Sequence, residues 1–328
     1  MHLKNLVNTI DTHTAGGPTR VVVSGLPDLK GGSVREKMEY FKSYHDPVRA
    51  MLMQEPRGHS GMFGAVLTSP CIAEADLGVF FTTSSGYLDM CVHSAIGAAA
   101  AACETGMAEA KKSFLMLETP AGLIKVSING KDGSPYYTIT TKPAFVCSTG
   151  YEAGFCGEGK IPADVVFSGV CFLMVDADKS GIKVNRESVG EITRTGVGLL
   201  SEFNKGGGML SPFSGKRENA AMALFYTNIS RNEGMNAVIS ASGAIDRSPC
   251  GAGTGAKMAL LHYNKLLEPN EVYTNKGVTG TVMWGFLSGE KKEKGLTLVT
   301  PHISSEAFVT GFHQFAVDCR DNLNPFLI

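Results

Sequence analysis

Two segments of this chain, set close to half its length apart, repeat one local design. Gly86-Tyr87-Leu88-Asp89-Met90-Cys91-Val92-His93-Ser94 runs into the small-residue stretch 95–103, and Asp246-Arg247-Ser248-Pro249-Cys250-Gly251-Ala252-Gly253-Thr254-Gly255 opens a second helical stretch. In each, strand-like sequence leads to a turn, a cysteine ends the turn, and a helix starts at that cysteine. A helix with alanine and glycine on most sides has little to offer water and packs closely in an interior. Such a pair, each with its own strands, reads as a duplicated α/β unit facing itself across a cleft; the repeat is far too long for a solenoid. A chain of 328 residues suits two domains better than one core.

The two helix starts carry the chemistry. Unpaired backbone N–H groups and the helix dipole favour negative charge there, which makes a thiolate available and suits a bound carboxylate. Two thiols about one carbon solve a specific problem. Inverting an α-carbon needs a base on one face and an acid on the other, and donors aimed at the substrate carboxylate stabilise the developing carbanion. No metal or cofactor is required for this. The eight cysteines, at 71, 91, 103, 147, 156, 171, 250 and 319, form no C-x-x-C pair, so zinc-ribbon and thioredoxin-type readings lose their support. Cys71 and Cys171 lie beside apolar residues and read as buried small hydrophobes.

Other function classes fall on charge and pattern. Thirty Lys and Arg against 31 Asp and Glu leave no basic excess for a nucleic acid. No apolar stretch reaches about 18 residues, so no transmembrane helix is expected, and the first residues lack the apolar core of an export signal, which makes a cytoplasmic address the default. Gly251-x-Gly253-x-x-Ala256 satisfies a dinucleotide fingerprint, but Asp246-Arg247-Ser248-Pro249 separates it from any strand and Leu267-Glu268-Pro269-Asn270 follows its helix. No lysine stands in a phosphate-cradling context, which disfavours pyridoxal phosphate.

Between these landmarks the pattern predicts mostly strands. Val21-Val22-Val23 follows the turn-like Thr14-Ala15-Gly16-Gly17-Pro18. Residues 34–53 read as a helix broken near Asp46-Pro47. Strands are expected at 64–69 and 78–83, then a meander at 114–116, 124–128 and 136–140 with a turn at 129–133. The Gly-rich stretch 148–161 loses periodicity and is the expected crossing, giving domains 1–150 and 151–304. Beyond it come strands over 165–175, 221–227 and 235–241, an amphipathic helix over 186–203, a polar loop from Gly206, and a helix from Cys250 to about Leu267.

Four segments resemble the proline racemase and hydroxyproline epimerase family, whose fold is related to that of diaminopimelate epimerase. They are Ile10-Asp11-Thr12-His13-Thr14 with Gly16-x-Pro18-Thr19-Arg20, Glu55-Pro56-Arg57-Gly58-His59, Met90-Cys91-x-His93, and Asp246-Arg247-Ser248-Pro249-Cys250-Gly251. The resemblance implies two pseudo-symmetric domains, each a curved, mostly antiparallel sheet around a central helix, the first completed by residues 305–328, with the active site in the cleft between them. It implies Cys91 and Cys250 as paired acid and base, and His93 and Asp246 on the substrate's ring nitrogen or carboxylate, with backbone N–H groups near Val92, Gly251 and Ala252. Phe63 is read as core or pocket lining, while Arg57, Glu55 and His59 brace a loop and His13 braces the first turn. The implied partner is a small amino-acid substrate, and a homodimer is the default assembly.

The sequence departs from the family pattern at Val92, Gly17, Gly61, Ala252 and Ser240. Ser240 stands where strict proline racemases carry an aromatic, and a smaller, more polar side chain leans toward a hydroxylated proline. Family members that dehydrate 3-hydroxyproline carry Thr at the second cysteine, so Cys250 argues against that branch. Two readings of other classes stay open: a binder of proline-like ligands without turnover, and a thiol redox protein with a reversible Cys91–Cys250 disulfide.

Overall fold

The structure, a computed structural model, describes residues 3–109, 113–130, 134–154 and 159–328. The chain divides into two compact units, residues 1–139 with 305–328, and residues 140–304. Each is dominated by sheet and carries two long helices.

The first unit opens with β1 (Leu3–Thr14) and β2 (Gly17–Ser24), joined through Ala15 and Gly16 at φ +46° and +85°. Two successive positive φ values are the signature of the two-residue turn whose twist matches a hairpin. Then come α1 (Val34–Met53), β3 (Phe63–Thr68), β4 (Leu77–Thr83), β5 (Tyr87–Leu88), α2 (Val92–Glu104), β6 (Phe114–Thr119), β7 (Gly122–Asn129) and β8 (Tyr136–Thr140). β3 lies parallel to β2, β4 runs antiparallel to β3, and β6 lies parallel to the start of β4, with β7 and β8 continuing as an antiparallel meander. Of the expected turn at 129–133, residues 131–133 lie outside the described residues.

In the second unit follow β9 (Ala144–Gly154), β10 (Lys160–Ser168), β11 (Val170–Asp176), α3 (Val189–Lys205), β12 (Met209–Leu210), β13 (Arg217–Glu218), β14 (Met222–Ser230), β15 (Glu233–Ser240), α4 (Gly251–Tyr263), β16 (Tyr273–Gly277), β17 (Val282–Glu293) and β18 (Leu296–Ser305). The order is β9-β10-β11-β14-β15-β16-β17-β18, and Val299 on β18 pairs back onto Ala144 of β9, so the sheet closes on itself. α4 packs against β9, β10, β11 and β17, while α3 covers the apolar side formed by Leu173, Val175, Phe225 and Ile239. The chain then returns to the first unit as β19 (Ala307–Asp318), antiparallel to β1.

In the first unit the strands alternate between two helices. Val7, Val22, Val66 and Phe80 face α1, and the other side receives α2, whose residues from Val92 through Ala102 are all buried. The closeness of that packing is visible at Gly97, where a Cβ would sit 2.5 Å from Thr12 Oγ1.

Several local expectations need correction. α1 continues through Pro47 without a break. The missing N–H costs a helix about 3 kcal/mol, but Val48, Met51, Leu52 and Met53 are buried beyond it. Arg49 further clamps that turn, reaching Asp46 at 2.6 Å and the carbonyls of Thr83 and Ser84. α4 stops at Tyr263 instead of reaching Leu267, because Lys265 turns the chain at φ +60°. The stretch 148–161 holds the end of β9 and the start of β10, with residues 155–158 outside the described residues. The loop after Gly206 contains the two-residue pair of β12 and β13. Cys171 is buried, but Cys71 is partly exposed, with its thiol toward the Gly31 carbonyl at 3.9 Å.

Packing at Gly97 predicts a contrast. Gly97→Ala should lower stability by about 1–2 kcal/mol through overpacking. Gly190→Ala, where a Cβ meets nothing within 4 Å, should be neutral or stabilising by up to about 1 kcal/mol from helix propensity. Urea denaturation midpoints of the two variants against the parent check this.

Candidate active site

In the first unit, Cys91 is the N-cap of α2, in ordinary extended geometry at φ −143° and ψ 113°. Its Sγ lies 3.5 Å from His93 Nδ1 and 3.9 Å from Nε2. Burial is the largest influence on this thiol and opposes its ionisation. The charge of His93, the hydrogen bond to it, and the nearby polar groups of Ser94 together outweigh burial and hold Cys91 below the usual thiol range. His93 is itself fixed: the Phe63 ring meets it edge-on at 4.5 Å between centroids, and Thr14 Oγ1 donates to its backbone carbonyl at 2.9 Å. Thr19 Oγ1 in turn donates to Ser94 Oγ at 3.2 Å.

In the second unit, Cys250 is the N-cap of α4 in a different setting. Its backbone has φ +61° and ψ 111°, a region that costs a side-chain-bearing residue about 1–3 kcal/mol. The first-turn N–H of Gly253 donates to its Sγ at 3.4 Å, the contact that favours negative charge on sulfur. Gly253 fits closely here: a Cβ would lie 2.8 Å from Leu224 Cδ1 and 3.2 Å from the Cβ of Cys250. Asp246 reaches the site through a tight turn. Its Oδ1 accepts from both the backbone N–H and the hydroxyl of Ser248 at 2.8 Å, and Ser248 Oγ accepts from the Cys250 N–H at 3.0 Å.

The structure therefore groups Cys91, Val92, His93 and Phe63 in the first unit, and Cys250, Gly251, Ala252 and Asp246 in the second. Ser240 ends β15, and its hydroxyl is engaged in the turn that follows, 2.8 Å from Ser242 Oγ and accepting from the Ala244 N–H. That turn brings the Asp246 N–H back to the Val238 carbonyl at 2.9 Å. His13 braces the first turn by accepting from the Gly16 N–H at 3.4 Å. Arg57 donates to the Ala316 carbonyl, and its own carbonyl accepts from Arg20. Sequence reasoning passed over Ser94 and Ser248. The signal was their position, one hydroxyl beside His93 and one between Asp246 and Cys250. Among the described residues no His, Cys, Asp and Glu group is arranged to hold a metal ion, and no helix is long and apolar enough to cross a membrane.

Comparison with known proteins gives one consistent result. Residues 9–326 match the family model described as Proline racemase. Among curated proteins, a proline racemase of Clostridioides difficile is 36% identical over 328 residues, covering 98% of this chain and 98% of its own length. A trans-3-hydroxy-L-proline dehydratase of Bacillus cereus is 31% identical over 330 residues, covering 99% of this chain and 98% of its own. Among solved structures, a hydroxyproline epimerase of Agrobacterium vitis with bound trans-4-hydroxy-L-proline superposes with a TM-score of 0.88 at 25% identity, over 100% of this chain and 96% of that one.

The Cys91 environment has a measurable consequence. His93→Asn removes the imidazole's charge and leaves burial opposing ionisation, so the Cys91 pKa should rise. In a Cys250→Ser background, the pH midpoint of Cys91 alkylation by iodoacetamide, followed on its own peptide by mass spectrometry, should move upward. An unmoved midpoint would show that His93 does not set this thiol.

Proposed function

The chain belongs to the proline racemase family, and from that membership we propose that it inverts the α-carbon of 4-hydroxyproline or proline with Cys91 and Cys250 as its acid and base. The observation that carries this reading is the placement of a cysteine at the N-cap of a buried helix in each unit. The class of reaction, racemisation or epimerisation by an isomerase, follows from the family and from near-complete coverage of its curated members.

In the proposed reaction one thiolate takes the α-proton and the other thiol delivers a proton to the opposite face. The electron pair left on the α-carbon spreads into the carboxylate, where first-turn N–H groups of Val92, Gly251 and Ala252 stabilise it. His93 and Asp246 hold the ring nitrogen or the carboxylate. The roles of the thiols exchange when the other stereoisomer is bound, so the free enzyme exists in two protonation forms. No cofactor enters the scheme. Ser240, smaller and more polar than the aromatic of strict proline racemases, leans the substrate toward a hydroxylated ring.

A second reading has support from one relative. A dehydratase of 3-hydroxyproline shares 31% identity with this chain, and dehydration starts with the same α-proton abstraction. Cys250 favours inversion, since a thiol at this position returns a proton to carbon where the dehydrating branch carries Thr.

Purified protein mixed in deuterated water with L-proline, trans-4-hydroxy-L-proline and trans-3-hydroxy-L-proline separates the cases. Inversion with α-deuterium incorporation is expected for the first two, most strongly the 4-hydroxylated one. Loss of water from the third alone would replace epimerase with dehydratase, and saturable binding without exchange would leave only a binder. Cys91→Ser and Cys250→Ser should each lower inversion by about 10³-fold or more, and full activity in either would remove the two-thiol mechanism.

A further inference from the structure

We propose that Asn236 and Asn275 are positioning residues for the Cys250 thiol, their buried amides gripping the Pro249 carbonyl so that Cys250 is held in its left-handed conformation at the start of α4. The inference rests on the proposed function for what the thiol does, and on the geometry alone for how it is held.

Rotation about the N–Cα bond of Cys250 turns the peptide plane between Pro249 and Cys250. Both sides of that plane are anchored. On one side the Pro249 carbonyl accepts from Asn236 Nδ2 at 2.9 Å, from Thr254 Oγ1 at 3.4 Å and from Asn275 Nδ2 at 3.5 Å. On the other side the Cys250 N–H donates to Ser248 Oγ. The donors come from rigid elements: Asn236 sits on β15, Asn275 on the parallel neighbour β16, and Thr254 in the first turns of α4. Asn275 Nδ2 also donates to Thr254 Oγ1 at 2.9 Å, tying the three together. All are removed from water, with Asn236 at 1% and Asn275 and Thr254 at 0% exposure.

Two neighbours complete the cradle. Gly277, opposite Asn236 in the strand register, leaves room for the proline, since a Cβ there would lie 3.0 Å from Pro249 N. Thr279 Oγ1 holds the Arg247 carbonyl at 2.8 Å. Buried amides are an unfavourable way to fill volume. They are, however, directional, and a strained backbone persists only where its surroundings over-determine it. Cys91, at an unstrained φ and with no comparable clamp among the described residues of its unit, serves as the internal reference.

The test uses the full-length protein and the near-isosteric Asn236→Leu, which keeps volume and removes the donor. Iodoacetamide alkylation is followed separately on the Cys250 and Cys91 peptides across pH, alongside kcat and KM for inversion. We expect Cys250 alkylation at neutral pH to slow about tenfold with its midpoint moved upward, Cys91 unchanged. We expect kcat to fall about tenfold or more with KM within about twofold. If Asn236→Leu does not fold, Thr254→Val removes a second donor by an isosteric apolar change and is read the same way, with Thr254→Ser restoring the parent behaviour. An unchanged Cys250 profile, or equal shifts at both thiols, overturns the proposal. Should no substrate be inverted, the function fails, yet the alkylation comparison still decides the clamp.

Discussion

A helix buried along nearly its whole length interacts with anything outside the sheet only through its ends, and that constraint organises both units. α2 and α4 are built from small residues because strands press on them from several sides; Gly97 against Thr12 and Gly253 against Leu224 show the spacing. The helix ladder satisfies the interior amides, leaving the first-turn N–H groups as the available donors. Placing a cysteine at that point aligns a nucleophilic sulfur with a cluster of donors in a setting of low dielectric. Neither charge on sulfur nor charge on a bound carboxylate would be stabilised as well along the flank of the same helix.

The two thiols sit in different surroundings. Cys91 is buried, and burial by itself would keep it protonated; a histidine two residues on, pinned by Phe63 and Thr14, reverses that outcome. Cys250 is more open, has no histidine beside it in sequence, and accepts a helix N–H directly. Its cost is taken in the backbone, at φ +61°, and is held by the network of Ser248, Asn236, Asn275 and Thr254. The seventh residue after each cysteine shows how far the units have diverged. Ala98 fills that place in α2, whereas Lys257 fills it in α4. Lys257 is almost wholly buried, its Nζ lies 3.2 Å from the centre of the Tyr226 ring, and burial draws its pKa down to about 7 against the pull of Asp176, Asp164 and Asp178.

The features legible in the sequence were those carried by local pattern. The small-residue helices, the two cysteines at their starts, the hairpin turn before Val21 and the meander after Phe114 each follow from a few adjacent residues. What escaped was set by distant contacts. β1 is polar in alternate places and gains its identity from β2 and β19 on either side. Pro47 is tolerated because Arg49, Asp46 and Tyr87 hold the turn around it. Asn236 and Asn275 look like unremarkable strand asparagines until the fold brings both to one carbonyl. Lys257 lies on the side of α4 that the sheet covers. For Asn236, Asn275 and Lys257, and for the β19 partner of β1, the deciding contact is made by the fold and lies out of reach of periodicity and spacing.

An unequal pair of thiols is compatible with the proposed reaction for a thermodynamic reason. The enantiomers of proline have equal free energy in an achiral solvent, so the ratio of kcat/KM in the two directions is fixed at unity whatever the enzyme's asymmetry. Unequal surroundings of Cys91 and Cys250 can therefore appear only in kcat and KM taken separately. They do so by setting which protonation form of the free enzyme predominates and which stereoisomer it meets ready to react. With 4-hydroxyproline the two forms are diastereomers and unity is lifted to the ratio of their own stabilities, again independent of the protein. Selection on such an enzyme then acts on each thiol's readiness and presentation, without requiring the two to match. A histidine in one unit and a clamped, strained backbone in the other are two solutions to that single requirement.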